Sequence, residues 1–147
     1  MSEERRPPTT TAGRSPMINP DVRPFLEGTN LAHVATIGPD GAPRTSPVWI
    51  GTHGDHVVFL TGNRGRKYRN LHLDPRIALS MAPADNDYMP VILRGRVVGW
   101  VEDESRWEII DELATRYTGA PYTREVDEYG DRAIALIDLD YQHIGVG

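Results

Sequence analysis

Apolar positions along this chain fall into short runs broken by turn sequences, with one longer helical stripe late in the sequence. Asn19-Pro20 reads as a helix start, Asn as N-cap and Pro in the first helical position. Val22, Phe25 and Leu26 form its stripe and Gly28 closes it. Leu31–Ile37 reads as a strand, Gly38-Pro39-Asp40-Gly41 as a turn, and Arg44–Ile50 as the returning strand of a hairpin. Gly51 to Asp55 is a further turn and His56–Thr61 a third strand. A short helix over about Gly65–Leu73 stops before Asp74-Pro75. Arg76–Met81 predicts a fourth strand. Val91–Glu102 predicts a long fifth, with Gly95 and Gly99 as bends or bulges.

The strongest helix follows. Ser105-Arg106-Trp107-Glu108 has the capping-box pattern, and Trp107, Ile110, Leu113, Ala114 and Tyr117 recur at helical spacing up to Gly119. A Pro/Tyr/Glu loop leads to the last strand, Arg132–Leu139. The pattern thus predicts six strands in hairpin connections and three short helices. That is a mainly β, α+β architecture, an antiparallel barrel with peripheral helices rather than a parallel sheet. Residues 1–17 are polar and rich in Pro, Thr, Arg and Ser, the composition of a disordered tail. Residues 18–147 then make one domain.

Composition narrows the chemistry. There is no cysteine among the 147 residues, which excludes disulfides, thiolate zinc sites, iron–sulfur clusters and a cysteine nucleophile. A net charge of −5 argues against nucleic acid as partner. No apolar run approaches the ~18 residues of a membrane span, and residues 1–15 lack the apolar core of a signal peptide. The expectation is a soluble, cytoplasmic protein. The histidines, His33, His53, His56, His72 and His143, form no metal-binding spacing with one another or with carboxylates. No metal site is expected, and His53 and His56 should be exposed beside their turn.

Two segments carry candidate chemistry. The first is Gly62-Asn63-Arg64-Gly65-Arg66-Lys67-Tyr68-Arg69-Asn70, which follows a strand and opens a helix. Its glycines allow a sharp turn, and the helix start offers free N–H groups and partial positive charge to a phosphate. Arg64, Arg66, Lys67 and Arg69 add four cations to an acidic chain. A solvated helix face behind a turn would look the same, and neither a Walker A loop nor GxGxxG is present. The second is Pro43-Arg44-Thr45-Ser46-Pro47-Val48-Trp49. A proline within a strand marks an edge or a break, here beside two hydroxyls that could hydrogen-bond a flat heterocycle. A protected edge strand is the plainer alternative.

The order of these motifs resembles the pyridoxamine 5′-phosphate oxidase-like split barrels. It is carried by Leu31–Ile37, Arg44–Ile50, Val57–Thr61, Gly65–Leu71 and Asp74–Leu79, and continues more weakly to the end of the chain. The resemblance implies a six-stranded split barrel, a homodimer, and cofactor sites across the dimer interface. It implies that Arg66 and Lys67 grip a cofactor phosphate, with Gly65 giving backbone access; in a deazaflavin site Arg64, Arg66, Lys67 and Arg69 together would hold the phosphate and acidic tail. Thr45, Ser46, Pro47, Val48 and Trp49 would lie along the cofactor ring beside Thr61. The segment Asn86 to Pro90, with Asn86, Tyr88 and Pro90, would approach from the partner subunit. An Arg-rich C-terminal substrate signature is missing, which speaks against pyridoxamine phosphate as substrate. The compact length and the Arg69-Asn70-Leu71 ending are similar to the deazaflavin-dependent reductases of the same superfamily. The implied activity is hydride transfer between coenzyme F420 and a small organic substrate, with no acid–base dyad. FMN on the same fold is the first alternative, and a non-enzymatic flavin or tetrapyrrole binder the second.

Overall fold

A computed structural model describes residues 17–85, 89–124 and 126–146. The expected tail lies outside the described residues except for Met17, whose carbonyl accepts a bond from Gln142 Nε2 at 2.9 Å. In chain order the elements are α1 (Arg23–Leu26), β1 (Ala32–Ile37), β2 (Pro43–Val48), β3 (Ile50–His53), β4 (His56–Gly62), α2 (Arg66–Leu73), β5 (Arg76–Met81), β6 (Val91–Val101), α3 (Arg106–Thr118) and β7 (Arg132–Ile144). All strand pairs are antiparallel, in the order β2-β1-β5-β6-β7-β4-β3.

The sheet has seven strands where the sequence predicts six. The expected strand Arg44–Ile50 changes partner at Trp49. Residues before it pair with β1, and those after it pair with β4 through a stretch expected to be turn. β2 and β3 therefore stand at opposite ends of the strand order with one residue between them in the chain, so the sheet must curl until its ends meet at that corner. Pro47, opposite His33, sits on a strand paired on one side only, where a missing N–H is tolerated. α3 holds the corner. Tyr117 stacks on Trp49 at 5.6 Å, its Oη accepts from Ile50 N–H (3.2 Å) and donates to Asn30 O (2.7 Å), and Arg116 Nη1 donates to Gly28 O and Ile50 O.

Two cores result. Leu26, Val34, Ile50, Phe59, Leu79, Leu93 and Ile137 fill the curled interior, and Val58, Ile110, Leu113 and Ile134 pack α3 against the outside of β4 and β7. Each such side chain stabilises by about 1.5–3 kcal/mol when fully buried. β4 faces both cores, which is why its sequence reads as an unbroken apolar run.

Several local expectations are corrected. α1 begins at Arg23 with Val22 at the N-cap; Asn19 instead accepts the N–H groups of Val22 and Arg23 through its carbonyl. Ser105 adopts helical angles and makes no side-chain cap, because its hydroxyl and N–H are taken by Asp103 Oδ1. The buried face of α3 is Arg106, Ile109, Ile110, Leu113 and Ala114, leaving Trp107 and Tyr117 half-buried. β7 runs past Leu139 to Ile144, since β6 continues to pair with it across a register shift. His53 is exposed, but His56 is half-buried. The expected irregularities at Gly95 and Gly99 are present, as register shifts at Arg94/Gly95 and Val97/Gly99. Gly119 closes α3 at φ +88°, its N–H bonding Thr115 O.

Candidate functional site

The barrel opens where β2 approaches β4, and a cleft of about 550 Å³ lies there, within the range of small-molecule sites. β2 and the corner supply Arg44, Thr45, Ser46, Pro47, Val48 and Trp49; β4 supplies Leu60, Thr61 and Gly62; the start of α2 supplies Gly65, Arg66 and Lys67. Leu31 and Thr36 come from the region of β1. Tyr122, Tyr129 and Arg132 come from the α3–β7 connection and the start of β7.

α2 begins at the cleft without a side-chain cap. Its N-cap is Gly65 in extended conformation, and the Gly65 N–H turns back to Gly62 O at 2.9 Å. The bond from Arg69 N–H to Gly65 O is the first to close a helical turn, so the N–H groups of Arg66, Lys67 and Tyr68 have no intrahelical acceptor. A Cβ on Gly65 would press on Gly62 O at 3.2 Å, so the residue type keeps this approach open. Asn70, buried in the second turn, donates to the buried Thr36 Oγ1 at 3.1 Å and fixes α2 against β1.

Arg44 joins Arg66 and Lys67 at this end. Among the described residues none of the three has a carboxylate ion partner, and no acidic residue lines the cleft. Burial, and after it the charge of Arg44, holds the Lys67 ammonium below the usual lysine range. Clustered cations without counter-charge, next to open helix N–H groups, make a fitting place for a phosphate. The walls beyond are the hydroxyl-bearing strand β2 and the rings of Trp49, Tyr122 and Tyr129, a fitting place for a planar polar ring.

The structure brings Thr45, Ser46, Pro47, Val48, Trp49, Thr61, Gly65, Arg66 and Lys67 to this cleft. Three expected residues do not line it. Arg69 turns its guanidinium back to Arg64 O at 2.8 Å, and Arg64 is exposed beside the Tyr129 loop. Pro90 stands at the entry to β6, where its carbonyl accepts Gly145 N–H at 2.8 Å. Asn86 and Tyr88 lie outside the described residues. Arg44 lines the cleft without having been among the expected cofactor residues, although it stands inside the Pro43–Trp49 motif. Tyr122, Tyr129 and Arg132 carry no local signal, because only the return of β7 alongside β4 brings them here. No group of three or more potential metal ligands is gathered among the described residues. Nor is any helix among them long and apolar enough to cross a membrane.

A family model described as Pyridoxamine 5′-phosphate oxidase matches residues 18–144. Among solved structures, one named F420 Reductase is 28% identical with TM-score 0.73, covering 85% of this chain and 98% of that chain. A conserved hypothetical protein from Mycobacterium tuberculosis is 23% identical with TM-score 0.68, over 93% of this chain and 89% of its own. Group A Streptococcus HupZ is 16% identical with TM-score 0.62, over 89% and 100% respectively. The last two likenesses show the fold alone. Comparison with curated proteins finds no match.

Proposed function

The chain belongs to the pyridoxamine 5′-phosphate oxidase family, and on that premise we propose that it is an oxidoreductase whose cleft holds a phosphorylated flavin or deazaflavin, with coenzyme F420 as the preferred cofactor. The observation that carries this reading is the unpartnered cluster of Arg44, Arg66 and Lys67 at the open start of α2, directly beside the hydroxyls of β2. In this reading Arg66, Lys67 and the N–H groups of the first turn hold the phosphate, while Thr45, Ser46 and the backbone near Val48 hold the ring. When bound, such a cofactor supplies hydride transfer; the chain's own residues bind it, orient it and exclude water. Neither histidine nor carboxylate lines the cleft among the described residues, in keeping with a site that leaves the chemistry to its cofactor.

The likeness to the structure named F420 Reductase supports the deazaflavin choice. FMN stays as the second reading on one observation: neither Arg64 nor Arg69 lines the cleft, and the Arg69 guanidinium is bonded to Arg64 O, which leaves Arg44, Arg66 and Lys67 as the cations grouped around a single phosphate. On the outer face of β1 and β5 the half-buried Ala35 and Ala78 stand opposite each other, and Ile92 on β6 lies one row away opposite Ser80; these small and apolar positions support a homodimer closed over that face. A small-molecule substrate and a cytoplasmic location belong to the same reading.

Titration of the purified protein with F420 and with FMN, followed by fluorescence, tests the cofactor. Saturable binding of F420 tighter than FMN is expected; binding of neither would overturn the proposal. Hydride transfer from the reduced complex to an organic acceptor separates an enzyme from a storage protein.

A further inference from the structure

Among the described residues, Arg132 is the one cation of the cleft whose charge is already answered. Its side chain is only 10% exposed and its Nη2 donates to Asp127 Oδ1 at 2.8 Å and to Gly130 O at 2.7 Å. Asp127 is itself held in place, accepting from Tyr129 N–H at 2.9 Å. The loop carrying both is bound to the segment leading into α2: Asn63 N–H donates to Asp131 O, Arg64 N–H to Tyr129 O, and Asp131 N–H to Asn63 Oδ1. Gly62 pairs with Arg132 across β4 and β7, and a Cβ there would press on Arg132 Nη2 and on the Tyr129 carbonyl. Glycine at this position lets the guanidinium lie over the strand end.

The other half of the guanidinium is underused. Nη1 meets only Tyr122 Oη, at 3.4 Å, and the buried Nε–H has no acceptor among the described residues. A buried charged group with open donors is costly, and the cost is offset where a bound molecule supplies an acceptor. Arg132 and Tyr122 both line the cleft.

We propose that Arg132 contacts the ligand directly, donating from Nη1 to a carbonyl oxygen at the edge of the bound ring system, with Asp127 as the residue that positions it. The proposal rests on the flavin or deazaflavin reading and assigns a role separate from phosphate binding. Because Asp127 cancels its charge, Arg132 exerts little long-range pull on an anion; its contribution is a directional hydrogen bond. Arg44, Arg66 and Lys67 act by net charge. The two kinds of contact respond differently to salt and to removal of the ligand's phosphate.

The test is a set of dissociation constants at low and high salt for FMN, riboflavin, F420 and the phosphate-free 5-deazaflavin riboside. Wild type, Arg132→Met, Arg132→Lys, Asp127→Asn and Lys67→Ala are compared, each checked for folding by its thermal transition. Arg132→Met is expected to weaken the phosphorylated and phosphate-free forms of the preferred ring by the same factor, about tenfold, the size of one hydrogen bond from a charged donor. That factor should persist at high salt. Arg132→Lys, which keeps the charge and the stem but loses the planar fork, should lose nearly as much. Asp127→Asn should lose less for the phosphate-free form, and at low salt the phosphorylated form should lose less still, because the Arg132 charge is then no longer cancelled. Lys67→Ala should weaken only the phosphorylated forms, and less so at high salt. A loss in Arg132→Met confined to phosphorylated ligands, or one that fades with salt, would make Arg132 another phosphate contact and overturn the proposal. Should Arg132→Met fail to fold, Arg132→Lys decides, and wild-type affinity in that variant overturns the proposal. Wild-type binding with no change in either variant overturns it while leaving the cofactor reading intact; wild type that binds none of the four ligands overturns both.

Discussion

Lys67 concentrates the argument at the scale of single residues. It is half-buried, it faces Arg44, and it has no carboxylate beside it among the described residues. Removing it should cost a charge-assisted bond of about 1.5–3 kcal/mol, so Lys67→Ala is expected to weaken cofactor binding about tenfold to a hundredfold. Its thermal transition should stay close to wild type. An unchanged constant for whichever cofactor binds would remove the phosphate assignment. The same lysine predicts a pH dependence with a definite sign. Its pKa is lowered from 10.5 by burial first and Arg44 second, so in the free protein it deprotonates earlier than an ordinary lysine as pH rises. Affinity for an anion should fall through that alkaline window, whereas Lys67→Arg, which keeps its charge, should stay flat. In the free protein the unfolded chain binds more protons between the lowered value and 10.5, so this group makes stability rise with pH there. Binding constants for wild type and Lys67→Arg across alkaline pH check the sign.

Among the elements, β6 and β7 show how irregularity is built in. Their ladder shifts register at Gly95 and again near Gly99, which lets two long strands follow the curl of the sheet. The two glycines are not equivalent. A Cβ on Gly95 would run into the Asp138 carbonyl, a backbone group that cannot swing aside, whereas one on Gly99 meets only Leu136 Cδ1 at 3.5 Å. Gly95→Ala is therefore expected to destabilise by about 1–3 kcal/mol, as overpacking does, and Gly99→Ala by much less. Denaturant midpoints of the two variants check the contrast; equal shifts would mean that the close approach at Gly95 is relieved by movement of β7. α2 has a related dependence on its surroundings. It is eight residues long, too short to be stable by itself, and its aim depends on the buried Asn70–Thr36 bond as much as on its own sequence.

For the whole molecule, no helix among the described residues covers the outer face of β1, β5 and β6: α3 packs on β4 and β7, and α2 is tied to the end of β1 through Asn70 and Thr36. A second copy closing over that face is expected to bury well above ~1,600 Å² in total, as obligate interfaces do. Light scattering is expected to give twice the chain mass at micromolar concentration. A stable monomer would count against the dimer while leaving the cleft of the single chain in place.

The order of strands, turns and helices was legible because each depends on neighbours in the chain. Gly38-Pro39-Asp40-Gly41 turns by its own backbone preferences, with Gly41 at φ +83°, and the alternation in β1 marks its buried face. The basic segment at Gly65–Lys67 was legible for the same reason: a glycine, a helix start and adjacent cations are local features. The seventh strand was not legible. Whether Arg44 to His53 is one strand or two depends on which partners lie beside it, and those are β1 and β4, brought together only when the sheet closes at Trp49. The arrival of Tyr122, Tyr129 and Arg132 in the cleft shares that cause. The turn of Arg69 to Arg64 O and the loss of the Ser105 cap to Asp103 do not: both are contacts within five residues, in which one local hydrogen bond replaced another. Where the chain bends, which stretches pair or coil, and where positive charge gathers could all be read before the fold, since each follows from contacts within a few residues. Which walls enclose the cleft follows from the folded chain alone, because residues far apart in sequence become neighbours through strand pairing and burial, and no short-range pattern encodes that distance.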